Sequence, residues 1–206
     1  INGFFEAVKI FLTLNAEQFN FCCTHLDAIL NLEQAPLVQV LREAVALKAH
    51  VVEVDEQEQN LRMILNFGHT IAHALELITD YKLSHGDAVA FGIILEILIA
   101  NKMQIFSDAD LLNDIITMFN KLGIAARIKQ TMYLILNINI QQGFSDDNNN
   151  LIEQLIKIMQ YDKKNRQHKI TMILKNNNSY IISRDIDINI IKQVLIDYNK
   201  NVLFYN

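Results

Sequence analysis

Residues Ala88 to Ala100 are apolar nearly all the way round a helix, broken just by Gly92 and Glu96. A helix without a polar face has no stable place on a surface, so this one belongs at the centre of a fold. The run is too short and too interrupted to span a membrane. Around it, Phe4 to Phe11, Ala16 to Leu30 and Pro36 to Val54 carry apolar residues at helical spacing, with Pro36 where a first turn tolerates it. Residues 1–120 therefore read as almost wholly helical. The stripe of the third segment runs Leu37, Leu41, Ala44, Val45, Val51 and Val52, and Lys48 falls within it. Either Lys48 snorkels outward or it is held inside for an anion.

The second half differs. Ser107 is placed to cap a helix with Leu111, Leu112, Ile115, Ile116 and Phe119 as its stripe and Gly123 past its end. Asp146 to Asn150 reads as a polar loop, Leu151 to Met159 as a short amphipathic helix, and Tyr161 to Asn165 as a basic turn. Lys169 to Leu174 and Tyr180 to Ser183, joined through Asn176 to Asn178, form a predicted β-hairpin, and Ile188 to Tyr198 a closing helix. The fold class is mainly α, with one small hairpin.

A 206-residue chain that is 51% hydrophobic can bury a core of one domain. Its net charge of −5 supplies no basic footprint, which argues against nucleic acid as a partner. Cys22 and Cys23 are adjacent and have no third partner, which points to a reducing, cytoplasmic setting. No signal peptide is visible. A start at Ile1 running directly into Gly3-Phe4-Phe5 reads as a piece of something longer.

The segment from Arg62 to Gly86 carries the chemistry. On a continuous helix Arg62, Asn66, His69 and His73 would lie within about 60° of one another, setting a guanidinium, an amide and two imidazoles on one face. His69 and His73, four apart, could share a metal, but the His-Glu-x-x-His order of zinc proteases is absent. His85 offers a third nitrogen, and Glu6 is a carboxylate set among hydrophobes. Two imidazoles, one carboxylate and an open position would make a catalytic zinc site. Glu6 and Lys9 could equally be a surface ion pair of small worth. His25, His50 and His168 stand outside the pattern. Asn60, after the acidic run Glu53, Asp55, Glu56 and Glu58, reads as a tight connection into this segment.

These residues fall in stretches that resemble the C-terminal domain of the 3-dehydroquinate synthase family: Gly3 to Lys9, Lys48 to Val52, Asp55 to Arg62, Leu65 to Glu76, His85 to Gly92 and Asp162 to Asn165. The resemblance implies a helical domain in which Glu6, His69 and His85 bind zinc or cobalt. It turns His73 away from the metal and toward the substrate phosphate, with Asn66 and either Lys163 or Lys164. Lys9, Lys48 and Arg62 would hold the substrate carboxylate and hydroxyls, and Glu58 would be an acidic residue of the same site. The implied reaction converts 3-deoxy-D-arabino-heptulosonate 7-phosphate to 3-dehydroquinate and phosphate in the shikimate pathway, with NAD as cofactor and a homodimer as the working form. Residues 1–120 would supply the metal and substrate helices and 121–206 the tail.

Ala72 and Asn60 stand where the family usually has glycine, and Ile93 where it has methionine. The six glycines are spread singly, so no glycine-rich phosphate loop is present, and NAD would have to come through an α/β domain absent from this sequence. Alone, the chain is expected to be inactive. Two other readings compete: another sugar phosphate cyclase or a metal-dependent polyol dehydrogenase of the same fold, and a non-catalytic helical remnant. A wide apolar surface exposed where the missing domain would dock would speak for a partner.

Overall fold

The structure, a computed structural model, describes residues 2–59, 61–131, 148–161 and 170–198. Helices α1 (Asn2–Leu14), α2 (Ala16–Thr24), α3 (Leu26–Leu30) and α4 (Gln34–Val54) lead to a 3-10 helix (Leu61–Asn66). Then come α5 (His69–Ile78), α6 (His85–Lys102) and α7 (Ala109–Lys121), with residues 124–131 also helical. Helix α8 (Asn148–Tyr161), strands β1 (Ile170–Lys175) and β2 (Tyr180–Ile186), and α9 (Ile188–Tyr198) complete the order. No described helix is long and apolar enough to cross a membrane.

Helix α6 is the axis, as its all-round apolarity requires. It is buried almost throughout, including Val89, Ile93, Leu95 and Ile97 at no exposure. Helices α5, α1, α7 and α9 and strand β1 pack against it. Its start is set by Ser84, whose hydroxyl accepts from the Asp87 amide, a side-chain cap on an otherwise unsatisfied donor. Asp87 in turn takes two hydrogen bonds from Arg127, at 2.9 and 2.7 Å, which tie the helical stretch 124–131 to the head of α6. One hydrophobic cluster runs from Phe5 to Leu195.

The hairpin is antiparallel, with Lys175 opposite Tyr180 and the Asn176 carboxamide accepting from the Asn178 and Ser179 amides in the turn. Two bonds fasten it to the helices. The Tyr180 hydroxyl donates to the Leu12 carbonyl at 2.7 Å, and the Thr70 hydroxyl to the Thr171 carbonyl at 3.0 Å. The hairpin thus braces both the end of α1 and the first turn of α5.

Several boundaries differ from the sequence reading. Arg62 to His73 is not one helix: the 3-10 helix ends at Asn66 and α5 begins at His69, with Gly68 between them at φ +81°. That left-handed backbone breaks the i,i+4 ladder, so the single polar face does not exist. Ala16 to Leu30 is likewise two helices, parted at His25. The cap of α7 is Asp108, whose side chain accepts from the Leu111 amide, whereas the Ser107 amide and hydroxyl bond to Asn177. Asn148 to Asn150, expected as loop, open α8. The expected basic turn, apart from Tyr161, lies outside the described residues.

Helix α4 carries two apolar stripes. Val40, Ala44 and Val51 are buried, while Val38, Leu41 and Val45 are 52, 55 and 67% exposed. Lys48, three residues beyond Val45, is exposed with them, so it interrupts the outer stripe and not the core-facing one.

Candidate metal and substrate site

Glu6, His69 and His85 come from three different helices. Helix α1 buries Phe5, Val8 and Phe11, and this packing sets Glu6 at the edge of the core. His69 is the first residue of α5 and His85 the first of α6, so both rings stand at helix N-termini. One ligand atom from each of the three lies within 4.8 Å of the other two.

The ring nitrogens are sorted by their partners. His69 Nδ1 lies 3.2 Å from the Phe67 carbonyl and His85 Nδ1 lies 2.9 Å from a Glu76 carboxylate oxygen. A carbonyl and a carboxylate can only accept, so each Nδ1 carries the proton and each Nε2 keeps a lone pair. Both Nε2 atoms face Glu6 Oε1, at 3.8 Å from His69 and 3.7 Å from His85, too far for hydrogen bonds. That oxygen is buried and has no hydrogen-bond partner. Ligand atoms about 2.1 Å from a shared tetrahedral ion stand roughly 3.4 Å apart, so an orphaned carboxylate oxygen facing two imidazole lone pairs fits a divalent metal.

Electrostatics agree. Burial would raise the Glu6 carboxyl, but the charge and hydrogen bond of the adjacent Lys9 help bring it below the usual carboxylate range. Burial, reinforced by Lys9, pushes His69 down to about 3, so its imidazole is neutral near pH 7, the form that binds metals. Lys9 itself is 3% exposed and donates to Glu6 Oε2 at 2.9 Å. The pair is part-buried, with the lysine inside and the glutamate at the edge: Lys9 occupies one carboxylate oxygen and leaves the other for the imidazoles.

Around this core the other candidates separate. The His73 ring meets the His69 ring edge to face, 5.5 Å between centroids, but is not among the three clustered ligands. It lines a cavity of about 590 Å³ with Thr70, Tyr81, Lys157 and Tyr161. Asn66 donates to Glu58 at 2.5 Å, with Glu58 at φ +55°. Arg62 is turned back on the preceding loop, its guanidinium donating to the Glu56 carbonyl and its amide to Asp55. Asp55 also accepts from the Gln59 amide, so one carboxylate brackets the whole connection. Lys48 is exposed on α4, and Lys163 and Lys164 lie outside the described residues.

Sequence reasoning assigned no role to Glu76, the outer partner of His85. A carboxylate on the second histidine nitrogen fixes the tautomer and strengthens the ligand. Its signal was a lone acid near the end of an apolar helix, seven residues after His69. Glu96 was missed as well. Burial lifts its carboxyl well above the usual range.

Residues 3–165 match the family described as 3-dehydroquinate synthase C-terminal. The 3-dehydroquinate synthase of Dictyoglomus thermophilum is 36% identical over 84% of this chain and 43% of that protein. That of Ruminiclostridium cellulolyticum is 30% identical over 95% of this chain and 49% of that protein. The chain spans less than half the length of these curated relatives. Among solved structures, a 2-epi-5-epi-valiolone synthase from Streptomyces hygroscopicus, with NAD+ and Zn2+ bound, superposes at TM-score 0.69 and 19% identity, covering 97% of this chain and 51% of that one. A 2-deoxy-scyllo-inosose synthase complexed with carbaglucose-6-phosphate, NAD+ and Co2+ superposes at 0.56 and 22%, covering 78% of this chain and 41% of that one. These two likenesses speak to the fold. The match over residues 3–165 and the identities of the relatives speak to descent: the chain belongs to the 3-dehydroquinate synthase C-terminal family.

Proposed function

We propose that this chain is the metal and substrate half of a 3-dehydroquinate synthase. The observation that carries the reading is the convergence of Glu6, His69 and His85 on one orphaned carboxylate oxygen, beside a buried lysine, in a member of that family. Zinc or cobalt held there would supply Lewis acidity to the hydroxyls of a bound sugar acid. The chain's own residues bind and orient. Lys9 is in place before substrate arrives, fixed by Glu6. In this reading Lys9, Lys48 and Arg62 neutralise the substrate carboxylate and hold the hydroxyls, while His73, Asn66 and Lys163 or Lys164 meet the phosphate. An acidic protein needs such a local cluster of cations to hold a substrate with two anionic groups. Arg62 would leave the Glu56 carbonyl on binding, and Asn66 would trade Glu58 for phosphate oxygen.

Among the described residues the sheet is a two-stranded hairpin, which offers no dinucleotide cradle. NAD therefore belongs, in this proposal, to the part of the relatives' length that this chain does not span. The exposed stripe of Val38, Leu41 and Val45, continued by Lys48, supports a covering half over α4. A cytoplasmic homodimer carries the complete site.

The test is complementation. The chain is mixed with the N-terminal half of the Dictyoglomus relative, NAD and zinc, and phosphate release from 3-deoxy-D-arabino-heptulosonate 7-phosphate is followed. The reading expects release from the mixture and loss of it with Lys9→Ala. Phosphate release from a different sugar phosphate, and none from this one, would move the assignment to another cyclase.

A further inference from the structure

We propose that Glu96 is a positioning residue for His69, holding the turn that aims its imidazole. This rests on the reading of Glu6, His69 and His85 as a metal centre. Glu96 lies in the middle of α6, where every neighbour in sequence is apolar, and it has no exposure at all. Burying a carboxylate costs several kcal/mol that a leucine there would not incur. What it meets explains its presence. One oxygen, Oε2, accepts from the Gly68 amide at 2.7 Å, while the other, Oε1, is buried with no hydrogen-bond partner.

That amide belongs to the residue just before His69. It is a donor at the start of α5, with no partner inside its own helix. Gly68, the N-cap, has no side chain to serve the free amides there. Glu96 takes one of them from the neighbouring helix, in place of a local cap. The same turn presents the Phe67 carbonyl to His69 Nδ1, so the backbone that Glu96 holds also orients the ring.

Helix α6 therefore acts on the site twice. It carries His85 at its first residue and Glu96 eleven residues later, about 16 Å along a rigid rod. Glu96 registers α5 on that rod and so fixes where His69 stands relative to His85. Nothing in the proposal asks Glu96 to touch metal or substrate.

Cobalt titration of the chain, read by its visible absorption band, tests this with four variants. Glu96→Leu keeps the volume and removes the acceptor; Glu96→Asp, which covers the case of a leucine variant that does not fold, retracts it. Both are expected to bind cobalt about 10–100-fold more weakly and to shift the band, as loss of outer partners does at metal sites. Glu96→Gln keeps an acceptor oxygen and restores binding to within about threefold. Leu95→Ala, a buried change on the same helix, lowers stability by about 2–5 kcal/mol and leaves the band in place. Wild-type affinity and band in Glu96→Asp or Glu96→Leu overturn the proposal, as does an equal loss in Leu95→Ala. The metal reading fails separately, and takes the proposal with it, when the wild type holds no cobalt or when Glu6→Gln and His85→Ala hold it unchanged.

Discussion

Gly92→Ala is a change that helix propensity favours by about 1 kcal/mol, and the structure predicts the reverse. A Cβ on Gly92 would stand 2.0 Å from the Gly68 carbonyl oxygen, 2.8 Å from its carbonyl carbon and 3.1 Å from its Cα. These are backbone atoms, so no side chain can rotate away. Relieving the first contact from 2.0 Å to the 3.4 Å of ordinary packing needs a movement of about 1.4 Å between α5 and α6. Gly68 cannot absorb it freely, because its φ of +81° and its seat against Val89 and Ile93 fix it. Overpacking in a dense core costs about 1–3 kcal/mol, and a backbone clash this close belongs at or beyond the upper end. A loss near 3 kcal/mol corresponds to about 6–12 °C in melting temperature for a chain of this size. His69 follows Gly68, and metal sites tolerate errors of about 0.2 Å in ligand distance, so cobalt affinity falls by tenfold or more. Urea unfolding and cobalt titration of the same sample measure both. A variant within about 0.5 kcal/mol of wild type that binds cobalt normally would refute the close-packing argument.

Other perturbations separate the remaining contributions. In the metal-free chain His69 is held at about 3 against an ordinary value of 6.5, so the unfolded state binds the extra proton as pH falls. Stability is full above about pH 6.5 and is lost on acidification, by about 1.4 kcal/mol at pH 5.5; urea midpoints at pH 7.5 and 5.5 show the drop, and His69→Asn abolishes it. Glu6, held low, loses stability in the same direction at still lower pH. Glu76→Ala frees His85 Nδ1 and is expected to weaken metal binding about 10–100-fold, with Glu76→Gln milder, by competition with a chromophoric chelator. Tyr180→Phe removes the donor to Leu12 from a part-buried position and should cost about 1 kcal/mol in chemical unfolding; no change would mean that the hairpin does not brace α1.

How far the sequence reached depends on what kind of signal each element leaves. Helix α6 was legible because an apolar surface all round admits one location, and the closing helix Ile188–Tyr198 was legible to the residue. The hairpin followed from its β-branched runs and asparagine turn. The break at Gly68 was not read, since the spacing of Arg62, Asn66, His69 and His73 mimics one helix face. A single glycine ahead of a histidine was the available cue, and its reason, contact with Gly92, is a tertiary fact. The exposed face of α4 was hidden for a related cause: a helix with two apolar stripes does not say which one is inside. Composition and spacing proposed histidine pairs, but choosing Glu6, His69 and His85 came from the family resemblance. Neither Glu76 nor Glu96 could be assigned by pattern, because each acts on a residue distant in sequence or on another helix.

Zinc stoichiometry after loading and desalting addresses the central claim with the fewest assumptions. The wild type and His73→Ala are expected to retain one zinc per chain, and His85→Ala to lose it. Retention by His85→Ala together with loss in His73→Ala would contradict the site built on Glu6, His69 and His85 and return His73 to the metal.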